Sequence, residues 1–361
     1  MYMAHLADRA RRLWITMLAA GLVLAAAAGA VAQEVKGHWE ASTPFPMPVE
    51  EPVGAVVAGK LYIIQGLTEG GFQPMGLVYV LDPATKAWTK KNSMPEPYVH
   101  HAMTAAVNGK IYVFGGFSRP GKDLAWQPVD NAWEYTPDTD KWRPIAPLPS
   151  KRGAGAAVVA NGKIYVIGGA TVLPGQSDPA IRFDGKPHDT CVGTNEEYDP
   201  VTNTWRARAA MPTARNHFLG ADVNGKIYAI GGRLGSTFVT RSSNTDITEE
   251  YDVAQDVWTT RAQMPTARSG VAGGVFKGRV FVGGGEFQND KIMAAYRAFE
   301  AYDPATNTWD QSLPRMRIPR HGFAGAVIGD QLHVVAGDIQ TAGIPGVTAY
   351  TDTHDVFDFT K

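Results

Sequence analysis

Residues 161–169, Asn-Gly-Lys-Ile-Tyr-Val-Ile-Gly-Gly, with Tyr198-Asp-Pro200 and Trp205 beyond them, decide how this chain folds. An Asn-Gly pair supplies the two positive φ angles of a type I′ hairpin turn, so one strand must end at it and another begin. The strand that leaves it ends in paired glycines, where the backbone bends or lies too close to a neighbour for a side chain. Asp-Pro then opens a tight turn after a third strand, because Pro presets φ and Asp can bond the backbone beyond it. Trp205 belongs to a fourth strand.

The unit recurs six times. Its second strands are Leu61–Gly66, Ile111–Gly116, Ile164–Gly169, Ile227–Gly232, Val280–Gly285 and Leu332–Gly337. Its tryptophans are Trp39, Trp88, Trp142, Trp205, Trp258 and Trp309, spaced 49, 54, 63, 53 and 51 residues apart. Further hairpin turns stand at Asn108-Gly109 and Asn224-Gly225, with Ala58-Gly59 and Lys277-Gly278 as variants. A period of about 50 residues with four short strands per unit is that of a propeller, whose blades cannot bury their faces alone and stack in a ring.

Paired Gly, then Tyr-Asp-Pro, then Trp, in that fixed order, resembles the kelch repeat from about Trp39 to the C-terminus. Departures are local: Gln65 and Ala336 replace the first glycine in the first and last units, and Thr136 replaces Asp in the second. The expected fold is all-β, a six-bladed kelch β-propeller. Trp39 has no strands of its own before it, and the sixth repeat reaches Phe357–Lys361 without a tryptophan strand. The segment around Trp39 is therefore expected to be the outermost strand of the last blade, a three-plus-one clasp.

Residues 1–32 read differently. Arg9, Arg11 and Arg12 precede an apolar run from Leu13 to Ala28, and Ala30-Val-Ala32 offers a small-x-small cleavage site before Gln33. This is the pattern of a secretory signal peptide, with a retained anchor as the alternative. The propeller then occupies residues 33–361, in the periplasm or outside the cell, with no membrane span after cleavage and as a monomer. Removing the segment's net charge of +2 takes the chain from −1 to −3. That balance has no electrostatic footprint for nucleic acid. Cys191 is the sole cysteine, so no internal disulfide forms.

In a four-stranded blade the turns after strands one and three share a face, and the loops after strands two and four share the other. The first set is uniformly tight, whereas the second holds nearly all the length variation, so the loop face is the expected site. Arg152, Arg215 and Arg268 each lie ten residues before a hairpin glycine, and Arg320 falls in the same register with Asp330. Placed just before the innermost strands, they are expected to converge on the mouth of the central channel, with His217 and His321 after two of them and His100 and His101 in the second blade. A guanidinium fork suits bidentate binding of a carboxylate or phosphate. The bland alternative is a repeated structural pairing with a neighbouring blade's acid or carbonyl. Glu286 follows Gly285 directly, faces the same mouth, and could act as a general base. The loop residues Asp184, His188, Asp189 and Cys191 are metal-ligand types at a spacing that matches no standard pattern, so neither metal nor cofactor is expected. In the pairs Glu196-Glu197 and Glu249-Glu250, strand alternation puts one member on a solvated face.

Three functions follow. The first is an exported binding or interaction protein that recognises an acidic or glycan-type ligand, or a protein partner, on the loop face. The second comes from resemblance: exported bacterial six-bladed kelch proteins include a sialic acid mutarotase, a carbohydrate isomerase that uses a Glu and an Arg, and Glu286 sits where such a glutamate could. The third, also from resemblance, is a copper radical oxidase of the galactose oxidase type, which needs a Cys cross-linked to a Tyr, another Tyr and two His.

Overall fold

Every hairpin turn named above closes with both central residues at positive φ: 51° and 75° at Asn161 and Gly162, and still 46° and 75° at the variant Lys277 and Gly278. The computed structural model describes residues 37–360 apart from 68–72, 122–124, 177–179, 183, 185, 238–242, 290 and 341–348. The signal segment expected over residues 1–32 lies outside the described residues.

Among the described residues the turns organise multiple antiparallel blades of four strands, one of which gains Met293–Ala295 as a fifth. Blade one is Val53–Val57, Lys60–Ile64, Val78–Asp82 and Ala87–Lys90; blade two is Met103–Val107, Lys110–Phe114, Ala132–Thr136 and Lys141–Pro144. Blade three is Ala156–Ala160, Lys163–Ile167, Asn195–Asp199 and Thr204–Arg208; blade four is Leu219–Val223, Lys226–Ile230, Thr248–Asp252 and Val257–Thr260. Blade five is Ser269–Phe276, Arg279–Gln288, Phe299–Asp303 and Thr308–Asp310. Blade six takes Ala324–Ile328, Gln331–Val335 and His354–Asp358 from the C-terminal end and His38–Ala41 from the N-terminal end, with Trp39 opposite Phe357. The innermost strands abut in cyclic order from the first to the sixth and back to the first.

The repeated residues clamp blade to blade. Each repeat tryptophan donates its Nε1–H to a carbonyl in the linker before its blade: Trp142 to Asn92, Trp205 to Ala146, Trp258 to Ala209 and Trp309 to Ala262, at 2.8–3.1 Å. Those four linker residues donate their N–H to Asp140, Asn203, Asp256 and Asn307, whose side chains also accept from Tyr135, Tyr198, Tyr251 and Tyr302. Trp39 obeys the same rule at the closure, donating to Pro314 at 3.0 Å. Near the axis, the second glycine of a pair donates to the residue that leads into the next blade: Gly116 to Arg152, Gly169 to Arg215, Gly232 to Arg268 and Gly285 to Arg320. A Cβ at Gly115 would sit 2.3 Å from the Arg152 carbonyl oxygen, which is why the sequence carries glycine there.

The loop face builds small sheets of its own. Val99–His100, Phe117–Ser118, Ala125–Pro128 and Ile181–Arg182 join loops of blades two and three, and Ala170–Val172 pairs with Asp189–Cys191. Asp189 staples this long loop to the next blade, accepting from the Thr237 N–H at 2.7 Å and from the hydroxyls of Ser236 and Thr237.

Trp39 packs on Phe299 and Phe357 with ring centroids 5.0 and 5.2 Å away. Trp39→Ala is expected to cost about 3 kcal/mol, the low end for a large aromatic because this one is only half-buried. Urea unfolding reads the effect, and an unshifted midpoint would show that the clasp does not hold the ring.

Candidate functional site

Two residues lead into the innermost strand of each blade, or open it in the blade that starts at Ser269, and they build the mouth of the channel. The second of them is Glu51, His101, Ala154, His217, Gly270 or Gly322, all at positive φ between 54° and 66°. For an L-residue this conformation costs about 1–2 kcal/mol. It is held here because the six form a collar: Ala154 N–H donates to His101, His217 to Ala154, Gly270 to His217, Gly322 to Gly270 and Glu51 to Gly322, at 2.7–3.1 Å. The first of the two residues pairs with the one just after the second strand's glycine. These pairings are Glu50 with Leu67, His100 with Phe117, Gly153 with Ala170, Asn216 with Arg233, Ser269 with Glu286 and His321 with Asp338.

The result is a mouth divided in two. On the side of blades one to three, Leu67, Phe117 and Ala170 belong to a buried apolar cluster with Trp126, Ile181 and Tyr350. On the side of blades four to six stand Arg233, Glu286 and Asp338, all buried. Arg233 donates from Nη1 to Glu286 Oε1 at 2.8 Å, from Nε to Asn216 Oδ1 at 3.2 Å, and lies with Nη2 2.9 Å from His217 Nε2. His217 Nε2 is 2.8 Å from His101 Nε2, and His101 Nδ1 meets His100 Nδ1. Glu51 Oε1 lies 3.2 Å from His101 Nε2. His321 Nε2 is 3.0 Å from Glu50 Oε1 and 3.5 Å from Glu286 Oε2. Glu51, His101 and His217 line an axial cavity of about 130 Å³, walled below by Val53, Phe218, Val271 and Phe323.

Charge is distributed unevenly in this network. Burial alone would push His321 down, but Glu286, Glu50 and Asp338 outweigh it and hold the imidazolium up to about 10. Burial drives His217 and His100 well below the usual histidine range, helped at His217 by Arg233 and at both by His101. Burial raises Glu50, whereas at Glu51 the attraction of His101 overcomes burial and lowers it.

The structure thus gathers Glu286, His101, His217 and His321 in one cluster, and it corrects the expectation for the four arginines. Arg152, Arg215, Arg268 and Arg320 are 0% exposed, and their forks turn into their own blades. Arg152 bonds Glu196 at 2.6 Å and the Val166 carbonyl at 3.0 Å; Arg215 bonds Glu249 at 2.5 Å and the Ala229 carbonyl at 2.8 Å. Arg268 bonds Glu300 at 2.5 Å and the Val282 carbonyl at 3.0 Å, and Arg320 bonds Asp355 and the Thr353 carbonyl. Even with burial pulling Arg320 down to about 10, it stays charged at neutral pH. The partner acid is on the third strand of the same blade, not of a neighbouring one. A second correction concerns the acid pairs: neither Glu249 nor Glu250 is solvated, at 2% and 4% exposure. Glu250 accepts from Lys226, Tyr228 and Arg261 at 2.7–2.9 Å.

The third-blade loop does not assemble its metal-type residues. Asp184 pairs with His188, Asp189 turns to blade four, and Cys191 Sγ lies 3.1 Å from the Asn216 side-chain amide and 2.9 Å from the Gly235 carbonyl. No tyrosine is among these recorded partners of Cys191, and burial pushes its thiol up to about 11, opposite to what a reactive thiolate needs. Glu50, Glu51, Arg233, Asn216 and Asp338 escape the sequence reading. Their signal was register alone: Glu50-Glu51 occupy the positions of His100-His101, and Arg233 and Asp338 follow their glycines as Glu286 follows Gly285.

A closed ring of four-stranded blades with this repeated clamp defines a β-propeller, and the comparisons give its family. The KLHDC2/KLHL20/DRC7 Kelch-repeats domain matches residues 36–207, and the Kelch motif matches residues 214–265. The chain belongs to the kelch-repeat β-propeller family. It is similar to Kelch-like protein terF of Aspergillus terreus, 27% identical over 301 residues that cover 81% of this chain and 62% of that protein. It is also similar to human Kelch-like protein 15, 28% identical over 286 residues, 77% of this chain and 45% of that protein. The chain therefore spans about half to two-thirds of the length of these relatives. The solved structure of YjhT matches with a TM-score of 0.68 at 20% identity, over 86% of this chain and 95% of that one, a likeness of fold.

Two stability predictions follow from the pairs. Glu249→Ala strands the buried Arg215 and is expected to cost about 3–5 kcal/mol. Blades one and two carry the apolar solution to the same position, Val49 with Tyr79 and Val99 with Trp133, so Arg215→Val combined with Glu249→Tyr should recover most of that loss in urea unfolding. Failure of the double variant to exceed the single one would show that the pair is not a self-contained unit. Glu250 concerns pH. Burial raises its carboxyl, but Arg261, Lys226 and Tyr228 outweigh burial and hold it at about 2, below the ordinary 4.5. Its contribution is complete above pH 4.5 and lost as pH falls through 2. Thermal melting of Glu250→Gln should therefore depend less on pH between 4.5 and 2 than that of the parent; parallel curves would refute this.

Proposed function

We propose that the protein is an exported kelch binding module that holds one edge of a glycan-type ligand at the axial mouth of its loop face. The observation that carries this reading is the lining of the cavity: a carboxylate and two imidazoles, Glu51, His101 and His217, border one axial space. Carboxylates accept from sugar hydroxyls, and imidazoles donate to or accept from them. The cavity of about 130 Å³ gives a saccharide edge room beside these three groups.

An acidic ligand fits less well than expected from the sequence, because the four arginines are engaged in their blades. An entering anion meets Glu50, Glu51, Glu286 and Asp338 against Arg233 and the His321 imidazolium. The favoured ligand is a neutral saccharide, free or carried on a protein partner. The six-bladed ring, its monomeric state and its export by residues 1–32 belong to the same proposal. Native material beginning near Gln33 supports export, and an intact Met1 on membrane-embedded protein argues for an anchor.

One observation favours a second reading, sugar-acid anomer exchange. Glu286 and Arg233, 53 residues apart in sequence, meet at 2.8 Å. In that reading Glu286 takes the proton of the anomeric hydroxyl as the ring C–O bond breaks, water protonates the ring oxygen, the open chain recloses on its other face with the proton returned, and Arg233 holds the sugar carboxylate.

A panel of neutral saccharides and sugar acids in thermal-shift measurements tests both. Neutral sugars should stabilise the protein by about 2.7 kcal/mol at a hundredfold excess over Kd. Glu51→Gln should lose the effect. Stabilisation by sugar acids alone, with anomer exchange abolished in Glu286→Gln by NMR, would establish the second reading. No shift with any saccharide sinks both.

A further inference from the structure

We propose that Glu51, His101 and His217 form a site for one divalent transition-metal ion of the zinc class, with its open coordination positions facing the axial cavity. One ligand atom from each residue lies within 4.8 Å of the others. Glu51 Oε1 is 3.2 Å from His101 Nε2 and 3.9 Å from His217 Nε2, and the two ring nitrogens are 2.8 Å apart. Ligands bound at about 2.0–2.2 Å to a common ion at angles between octahedral and tetrahedral sit roughly 2.8–3.6 Å from one another. The three atoms approach that triangle before any ion enters. Two imidazoles and one carboxylate are a donor set for zinc or non-haem iron, and three protein ligands leave positions for water or a substrate oxygen.

Two further observations point the same way. His217 Nδ1 lies 2.5 Å from Asn216 Oδ1, and an amide oxygen only accepts, so Nδ1 carries the proton and Nε2 presents its lone pair. Anchoring the outer nitrogen on a carbonyl in this way is the outer-shell arrangement of metal-bound histidines. On the collar, Gly270 and Gly322 also line the cavity and add no side chain to it. The Arg233 Nη2 that lies 2.9 Å from His217 Nε2 is already anchored on Glu286 through Nη1. Entry of an ion requires that Nη2 withdraw and that His101 Nε2 give up the proton it directs at His217 Nε2 and Glu51, so binding releases a proton. The ligands are 50 and 116 residues apart in sequence, so no short motif displays the set.

The inference rests on these side chains and not on the glycan reading: a metal site can exist without saccharide binding, and saccharide stabilisation can survive in metal-free protein. The test is equilibrium dialysis of the full chain against zinc, with bound metal measured by plasma mass spectrometry. The expected result is one zinc per chain in the parent and in the control His188→Ala, whose imidazole is in the third-blade loop. His101→Ala with His217→Ala should retain none, and Asn216→Ala should bind about 10–100-fold more weakly. Zinc-edge absorption fine structure on the parent keeps the proposal testable if the double variant does not fold. Two imidazole scatterers at about 2.0–2.1 Å are expected. Stoichiometry equal in parent and double variant, loss of zinc in His188→Ala, or a shell of oxygen scatterers only would overturn the assignment.

Discussion

Pairing of His38–Ala41 with Asp355–Asp358 is the interaction on which the ring depends. Without it blade six has three strands and an unpaired edge, and the linker at Pro314 loses the indole that clamps it. The consequence reaches the axis, because the collar link from Glu51 to Gly322 joins the first blade to the last. Glu50 meets His321 across that same seam. A strand at the rim therefore helps to position charged groups at the centre.

Inside this frame the chain solves one packing problem in two ways. Where the innermost strand is entered by arginine, the third strand of that blade supplies Glu196, Glu249, Glu300 or Asp355. Where it is entered by Val49 or Val99, the third strand supplies Tyr79 or Trp133, each packed into an apolar cluster. The two positions change together from blade to blade within a single sequence. That is how a side-chain contact looks when it repeats, and it marks these arginines as scaffold.

Much of the fold was legible because its determinants are local. Asn161-Gly162 dictates a turn, Gly115 answers to one nearby carbonyl, and the tryptophans recur at a fixed phase. The closure was legible too, since a strand left over at one end must complete the blade that lacks one at the other. The site was legible only in part. Glu286, His101, His217 and His321 could be placed from the register of the repeat. The direction of a guanidinium fork is not a property of its position, so Arg152, Arg215, Arg268 and Arg320 were assigned to the channel although they turn away from it. Arg233 and Asp338 went unnoticed because one register position holds Leu67, Phe117, Ala170, Arg233, Glu286 and Asp338, with no shared chemistry to draw the eye.

The collar at the mouth is made of backbone, five of the blades donating an N–H to the carbonyl of another around the axis. Four residues with side chains, Glu51, His101, Ala154 and His217, hold the same left-handed backbone there as Gly270 and Gly322. A Cβ at Gly322 would sit 2.7 Å from Glu51 Oε1 and one at Gly270 3.1 Å from the His321 Cβ, so Ala154 is the blank position on a dial whose other marks are written or blocked. New chemistry can be inscribed at Ala154, which already carries a side chain at this φ, while the backbone stays constant. Propellers built on this plan can diverge in ligand without diverging in shape.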